Sequence, residues 1–526
     1  MGETQGMRRD LSYRICCAVL LAILLGAAGC SNGSDDGPSE TSDTAPADQS
    51  NDADASDAPG PPRRSVVFES GQDGIDTYRI PAVAKTPDGT IVVVAEARTR
   101  SPLDTDAHHL VAKRSTDNGR TWGELIEVAP QDTPEDGCYP SDPVLSAPTS
   151  GDAAGDLVVV FHPCRDGGGL HSSRSTDDGA TWSEMEPLDL DAVDGLAAAD
   201  VERLRSGPGH GIELTGGPAE GRLVMAADTG LSGDTPTVAL LLSDDGGRSW
   251  RIGAHATTPT SDTMDPDESA VAQLADGTVV VSSRNAAPRS TNRVQMFVSP
   301  DGEQVLPGPD GNPFTLTADL GVPGVQGSLL TLPDRGQVVL SSPSDPTTRR
   351  GLRLWTSADA KAWQPGPVPV PGPAAYSDLV LIDDDDIAVV VEVGDRHPYE
   401  RIDFVPVAVE SLDTDAELPA RDDDPADAAA GRLMVDGERY PVTRFCMLDD
   451  TITLDGGEIA IDFAGGLGAV DVKVDLDATD DREAVSLSGT VAMDMTAGIV
   501  YRGTLDDAEG AAHDVDLVIV NTEPCG

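Results

Sequence analysis

Seven stretches of the 526-residue chain carry side chains that could act on one another. "TYRIPAV" (77–83) holds Arg79. "MDPDESAVAQLADGTVVVSSRN" (264–285) holds Glu268 and, sixteen residues on, Arg284, with the turn "LADG" between them. "TTRRGLRLWTS" (347–357) holds Arg349 and Arg350. "AAYSDL" (374–379) holds Tyr376, and Glu392 follows sixteen residues later in "AVVVEVGD" (388–395). "EARTRSPLDTDAHHL" (96–110) offers Asp104 and Asp106, and "YPSDPVL" (139–145) offers Asp142. A guanidinium is a planar, permanently charged fork that grips a carboxylate at two points, which an ammonium cannot do. A phenol is a weak nucleophile until a neighbouring base takes its proton. Arginines, a tyrosine and several carboxylates could therefore hold an acidic substrate and attack it. Read singly, Arg79 is a surface ion pair, Tyr376 a packed strand residue and Asp142 a turn residue.

A repeated octet points to the elements that must bring these residues together. "STDNGRTW" starts at Ser115, "STDDGATW" at Ser175 and "SDDGGRSW" at Ser243, and degraded copies start at Ser299 ("SPDG") and Ser357 ("SADAKAW"). The starts differ by 60, 68, 56 and 58 residues, and such a period marks a repeated supersecondary unit. Short β-rich runs flank the octets, such as "HLVAKR", "ELIEVA" and "VALLLS". Each octet is thus predicted to be a hairpin clasp. Its Ser and Asp bond turn backbone, its Gly takes a positive φ and its Trp packs back on the sheet. The region from 65 to 411 spans nearly six periods. Four-stranded units set radially make a propeller, so the expected fold is all-β: a six-bladed β-propeller followed by a small C-terminal β domain. An aromatic content of 4% with 55 Gly and 40 Pro suits a turn-rich β protein.

The octets resemble the Asp-boxes of sialidases and other propellers. "TYRIPAV" resembles the Arg-Ile-Pro motif that opens the sialidase (neuraminidase) catalytic domain. The resemblance covers residues 65–411 and implies roles for the candidate residues. Arg79, Arg284 and Arg349 would clamp the substrate carboxylate, with Arg350 a rival to Arg349. Glu268 and Arg284 match the family's spacing of catalytic Glu and second arginine. Tyr376 matches its nucleophile and Glu392 the glutamate that steadies the first arginine. Asp104 would be the acid, with Asp106 as the alternative, and Asp142 would lie in the pocket. Sialic acid carries a carboxylate on its anomeric carbon, which would repel an Asp or Glu nucleophile; a neutral phenol avoids this. The implied activity is a retaining exo-α-sialidase acting on terminal sialic acids of glycoconjugates, by steps that need no metal and no cofactor. The alternatives are a catalytically silent propeller that binds sialic acid, and a purely structural Asp-box propeller.

The rest of the chain sets the expected surroundings. A net charge of −55, with Lys only at 85, 113, 361 and 473, argues against nucleic acid and anionic lipid as partners. Arg8, Arg9 and Arg14 precede the apolar run "ICCAVLLAILLGAAG", which reads as a signal peptide over 1–29. "AAGC" puts Cys30 where a bacterial lipobox carries its lipidated cysteine, with Ala27 in place of the usual Leu. Residues 31–64 lack the apolar content for a core and read as a tether. The expectation is a monomeric, extracytoplasmic lipoprotein at the bacterial cell surface that touches the membrane only through its anchor. In that oxidising setting Cys138 and Cys164, and Cys446 and Cys525, are expected to pair as disulfides. A linker within 412–431 leads to a β domain over 432–526. Its strands and terminal Cys residues faintly resemble the small mycobacterial lipoprotein antigen family.

Overall fold

The computed structural model describes residues 63–418, apart from loop positions 101, 103, 105, 106, 131–138, 164–167, 230–235, 259, 260, 262, 288, 289, 309, 347 and 396, and the strands and a few turn residues of 431–519. Cys30, Asp106, Cys138, Cys164 and Cys525 lie outside the described residues, as do residues 1–62 of the segment expected to be signal and tether; Arg64, at the end of that segment, donates to Asp403 Oδ2 at 2.8 Å. Cys446 ends the strand Glu438–Cys446, opposite Thr451.

The chain is all-β. Among the described residues the only α-helix is the four-residue Ala198–Val201. Strands 77–129 form one four-stranded antiparallel sheet, and those of 266–316 form another. Two five-stranded sheets lie between them in sequence. One takes in Gly209–His210 parallel to Ser141–Ser146. The strands of 328–408 form an eight-stranded sheet that also includes the first described strand, Ser65–Glu69, paired antiparallel with Arg401–Ala408. The two ends of this region therefore meet in one sheet. Residues 431–519 form a closed antiparallel barrel of eight strands.

Apolar cores lie between successive sheets, which explains why runs such as "IVVVAEAR" (Ile91–Arg98) do not alternate with polar residues. Val92 and Val94 pack with Leu145, Val159 and Phe161 of the following sheet. Ile91, Val93 and Ala95 pack with Val390, Ile402 and Phe404 of the last one. The sheets thus close on each other in a ring.

The octets form the expected clasps. In the first, Ser115 Oγ accepts the Gly119 N–H at 2.9 Å, and Asp117 Oδ1 accepts the Thr121 N–H at 2.9 Å. Gly119 has φ 77°. The second and third clasps repeat these bonds at Ser175/Gly179 and Asp177/Thr181, and at Ser243/Gly247 and Asp245/Ser249. Trp122 packs against Phe404, ring centroids 5.7 Å apart, and donates to Ser65 Oγ at 2.9 Å. This clasp therefore also fastens the first sheet to the strands that close the ring.

Where the strands leading each sheet approach one another, side chains replace ladder bonds. Asp378 accepts from Val83 N–H at 2.8 Å and Ser328 Oγ at 2.7 Å, and meets His210 Nδ1 at 2.7 Å. One buried carboxylate so ties four segments together. It also holds the His210 imidazolium more strongly than burial disfavours it.

Candidate active site

Four leading strands each carry one extra residue, and a site residue stands at each irregularity. Arg79 pairs with Glu96, and the register resumes at Ala82 opposite Val94. The other shifts fall between Ser141 and Val144, between Pro266 and Ser269, and between Ala374 and Ser377. They contain Asp142, Glu268 and Tyr376. A bulge bends its strand and re-aims side chains that strict alternation would send to the sheet faces. Two of these bulges are built on proline, which has no N–H for the ladder. The residues before the prolines, Ile80 and Asp142, have φ 54° and 53°. For a β-branched residue like Ile80 that conformation is strained by about 1–3 kcal/mol. A buried glutamate secures each turn. The Ile80 N–H donates to Glu392 Oε1 at 2.8 Å, and the Asp142 N–H to Glu96 Oε1 at 2.9 Å.

The three arginines meet at Tyr376. Arg79 is buried, with Nε donating to Glu392 Oε1 at 2.7 Å. Its guanidinium carbon lies 5.6 Å from the centre of the Tyr376 ring and 4.0 Å from that of Tyr399. Arg349 lies 5.3 Å from the Tyr376 ring, and its Nη1 donates to the Tyr399 hydroxyl at 2.9 Å. Arg350 instead begins the strand Arg350–Ser357, opposite Pro373. Arg284 Nη1 stands 3.4 Å from the Tyr376 hydroxyl and 3.2 Å from Glu268 Oε2.

The Tyr376 hydroxyl donates to Glu268 Oε1. Burial, and then the negative charge of Glu268, push the phenol well above its ordinary range against the opposing pull of Arg284 and Arg349. The phenol is therefore a neutral donor at pH 7, already in contact with a base. Burial works against the charge of Arg284, but the carboxylates of Glu268 and Asp267 help to outweigh it.

Asp104 is the most open member, its side chain 36% exposed. Arg98 Nη1 holds its Oδ1 at 2.7 Å, and Arg98 Nη2 is bound to Glu96 Oε2 at 2.7 Å. Burial disfavours ionised Glu96, but Arg98 and His108 prevail and keep it below the usual carboxyl range. Asp142 is pushed the other way, well above that range, by burial and by the charge of Glu96. Its carbonyl accepts the Ser206 hydroxyl at 2.5 Å. Sequence reading missed Glu96, Arg98 and Tyr399. The signal for the first two was present: a Glu and an Arg, one residue apart, ending the apolar run "IVVVAEAR".

The geometry offers a phenol against a base, three guanidinium groups around the phenol, and a half-buried carboxyl group held by Arg98. Several known proteins are similar to the chain. Residues 143–389 match the BNR repeat-like domain. The sialidase of Micromonospora viridifaciens is 29% identical over 373 residues, covering 64% of this chain and 54% of that protein. Human Sialidase-4 is 30% identical over 215 residues, covering 37% of this chain and 43% of that protein. The chain spans about half the length of these curated relatives. Among solved structures, Hadza microbial sialidase Hz136 aligns with a TM-score of 0.54 at 21% identity, over 66% of this chain and 69% of that one. The intramolecular trans-sialidase from Ruminococcus gnavus aligns with a TM-score of 0.51 at 15% identity, over 66% of this chain and 98% of that one. These neighbours share the β-propeller fold of sialidases. Residues 143–389 thus carry a BNR repeat-like domain, and the chain is similar to bacterial and human sialidases.

Proposed function

We propose that this chain is a retaining exo-α-sialidase that removes terminal sialic acids from glycoconjugates. The observation that carries the reading is the Tyr376 hydroxyl donating to Glu268 while Arg79, Arg284 and Arg349 all approach the same tyrosine. The arginines receive the sugar's carboxylate and offset charge in the transition state. The phenol oxygen attacks the anomeric carbon as its proton passes to Glu268. The bond to the leaving oxygen breaks, and Asp104 supplies that oxygen with a proton. In the second step Asp104 takes a proton from water, whose oxygen bonds to the anomeric carbon. The carbon–phenol bond breaks and Glu268 returns its proton to Tyr376. Two inversions give retention. Glu96 and Arg98 hold Asp104 and Asp142 in place, and Tyr399 holds Arg349.

The same reading includes a propeller of six blades. The eight-stranded sheet divides at its short link, Arg350 opposite Pro373 and Leu352 opposite Val370. One half is 328–365, and the other is 370–408 completed by Ser65–Glu69; with the remaining four sheets this makes six units. The propeller domain is taken as 65–411 and the barrel as a separate domain after a linker. "AAGC" supports lipidation at Cys30 and a cell-surface location, and Cys30→Ser should then release active protein from membranes. Turnover of a fluorogenic α-sialoside, with the α-anomer of sialic acid as first product by NMR, tests the activity. Binding of sialic acid without turnover would select the silent propeller instead.

A further inference from the structure

Gln326 stands in the segment just before the strand Ser328–Leu332, and its side chain is engaged with the peptide that follows Tyr376. Oε1 accepts the Ser377 N–H at 3.1 Å, and Nε2 donates to the Ser377 carbonyl at 3.1 Å and to the Pro208 carbonyl at 3.1 Å. The residue is 2% exposed. Its carboxamide therefore pairs with Ser377 as a neighbouring strand would, on the strand edge that faces away from the partner Asp386–Val393. The Tyr376 N–H is held by Glu392 Oε2 at 3.1 Å. The bulged tyrosine is thus fixed on both sides by side chains. Gln326 is itself anchored, because Arg293 Nη1 donates to the adjoining Val325 carbonyl at 2.9 Å. Arg293 is fully buried, and its Nε and Nη2 bond Ser282 at 3.1 and 3.3 Å. Val325 packs with Ile80, Ala375, Tyr376 and Tyr399.

We propose that Gln326 is a positioning residue for the nucleophile: its carboxamide fixes the Ser377 peptide so that the Tyr376 phenol stands against Glu268 before substrate arrives. The inference rests on the sialidase reading. A bulge has no ladder to hold its backbone, and small misplacements of a nucleophile are costly, a shift of about 1 Å being worth roughly 100-fold in rate. The three arginines do not contact Gln326 through any of these bonds, so substrate binding should survive its loss.

The test compares Gln326→Leu and Gln326→Glu with wild type, counting active sites by 2,3-difluorosialosyl labelling of Tyr376. For Gln326→Leu, kcat per labelled site and the labelling rate should both fall roughly 10–100-fold, with KM and the affinity for 2,3-didehydro sialic acid little changed. Gln326→Glu should behave similarly at about pH 8 and recover in part near pH 5, because a buried carboxyl protonates readily and can again donate to a carbonyl. Unchanged kcat per labelled site in the Leu variant, or a loss residing wholly in KM, would overturn the proposal. Ring-¹³C tyrosine NMR separates this from failure of the sialidase reading. The Tyr376 signal, assigned with Tyr376→Phe, should shift in Gln326→Leu whether or not sialosides are turned over, and an unmoved signal overturns the positioning role.

Discussion

Glu392 Oε2 accepts the backbone N–H of Tyr376 at 3.1 Å, while the other oxygen of the same carboxylate holds Arg79 Nε at 2.7 Å. One buried group thereby sets both the proposed nucleophile and the first of the three arginines. It also secures the strained turn at Ile80. Glu392→Gln should therefore lower stability and activity together. A weakened buried pair predicts a loss of about 3 kcal/mol. All five tryptophans lie within 122–363, so urea unfolding followed by tryptophan fluorescence reports on this region alone. Arg79→Lys keeps the charge but not the planar fork, and should cost roughly 1.5–3 kcal/mol in kcat/KM for an α-sialoside. An unchanged kcat/KM would remove Arg79 from the clamp.

Tyr376→Phe should nearly abolish hydrolysis and leave the urea midpoint close to wild type, because the ring still packs and only the hydroxyl is lost. Labelling by a 2,3-difluorosialosyl fluoride should fall on Tyr376 in a peptide map. Glu268→Gln should slow that labelling strongly. Burial and Glu268 hold the phenol neutral, and the amide cannot accept its proton. A label on a carboxylate would reassign the nucleophile.

Asp104→Ala should spare the first step for substrates with good leaving groups, which need little protonation, and slow it for natural sialosides. The pre-steady-state burst with an aryl sialoside reads the first step directly. Arg98→Ala releases the bond that holds Asp104 at 2.7 Å and should widen the same contrast between substrates, though less than Asp104→Ala does. If Asp106→Ala produces the leaving-group pattern instead, the acid is Asp106.

Asp228 gives a pH prediction. Burial raises its pKa to about 7, helped by the negative charges of Asp267 and Glu268 and opposed by Arg205. The folded chain then keeps a proton that the unfolded chain loses near pH 4, about the value of a free carboxyl. That contribution to stability is complete below about pH 4 and lost as pH rises to about 7. Asp228→Asn lacks it. The excess of the wild-type urea midpoint over that of the variant should therefore shrink between about pH 4.5 and 7.5. A constant difference would mean that Asp228 titrates normally.

Gly119→Ala tests the clasp. A Cβ there would stand 2.3 Å from Phe404 Cε1, and the φ of 77° disfavours any side chain. Strain and overpacking together should cost roughly 2–4 kcal/mol. Gly71→Ala also carries a positive φ of 84°, but nothing lies within 4 Å of its Cβ position, so it should cost about 1 kcal/mol. Equal losses at the two positions would show that contact with Phe404 does not matter.

The sequence by itself determined the clasps, the all-β character and the types of side chain that gather around Tyr376. Those depend on bonds that span a few residues. Ser115 reaches Gly119, and Asp117 reaches Thr121, so an octet carries its own geometry wherever it is placed. The prolines after Ile80 and Asp142 also marked, locally, where two strands could not keep a regular ladder. Tertiary structure decided the rest. Arg79 and Glu392 are 313 residues apart, and Tyr376 and Glu268 are 108 apart; no periodicity links such pairs. Glu96 and Arg98 end a buried strand, and only the fold brings Asp104 to them from the loop that follows and Asp142 from the strand Ser141–Ser146 of the next sheet. Gln326 had no local mark at all, because its partner is the backbone of a strand 51 residues further on. Local hydrogen bonding fixes a turn, but contacts between residues so far apart in the chain exist only once the sheets have closed on one another.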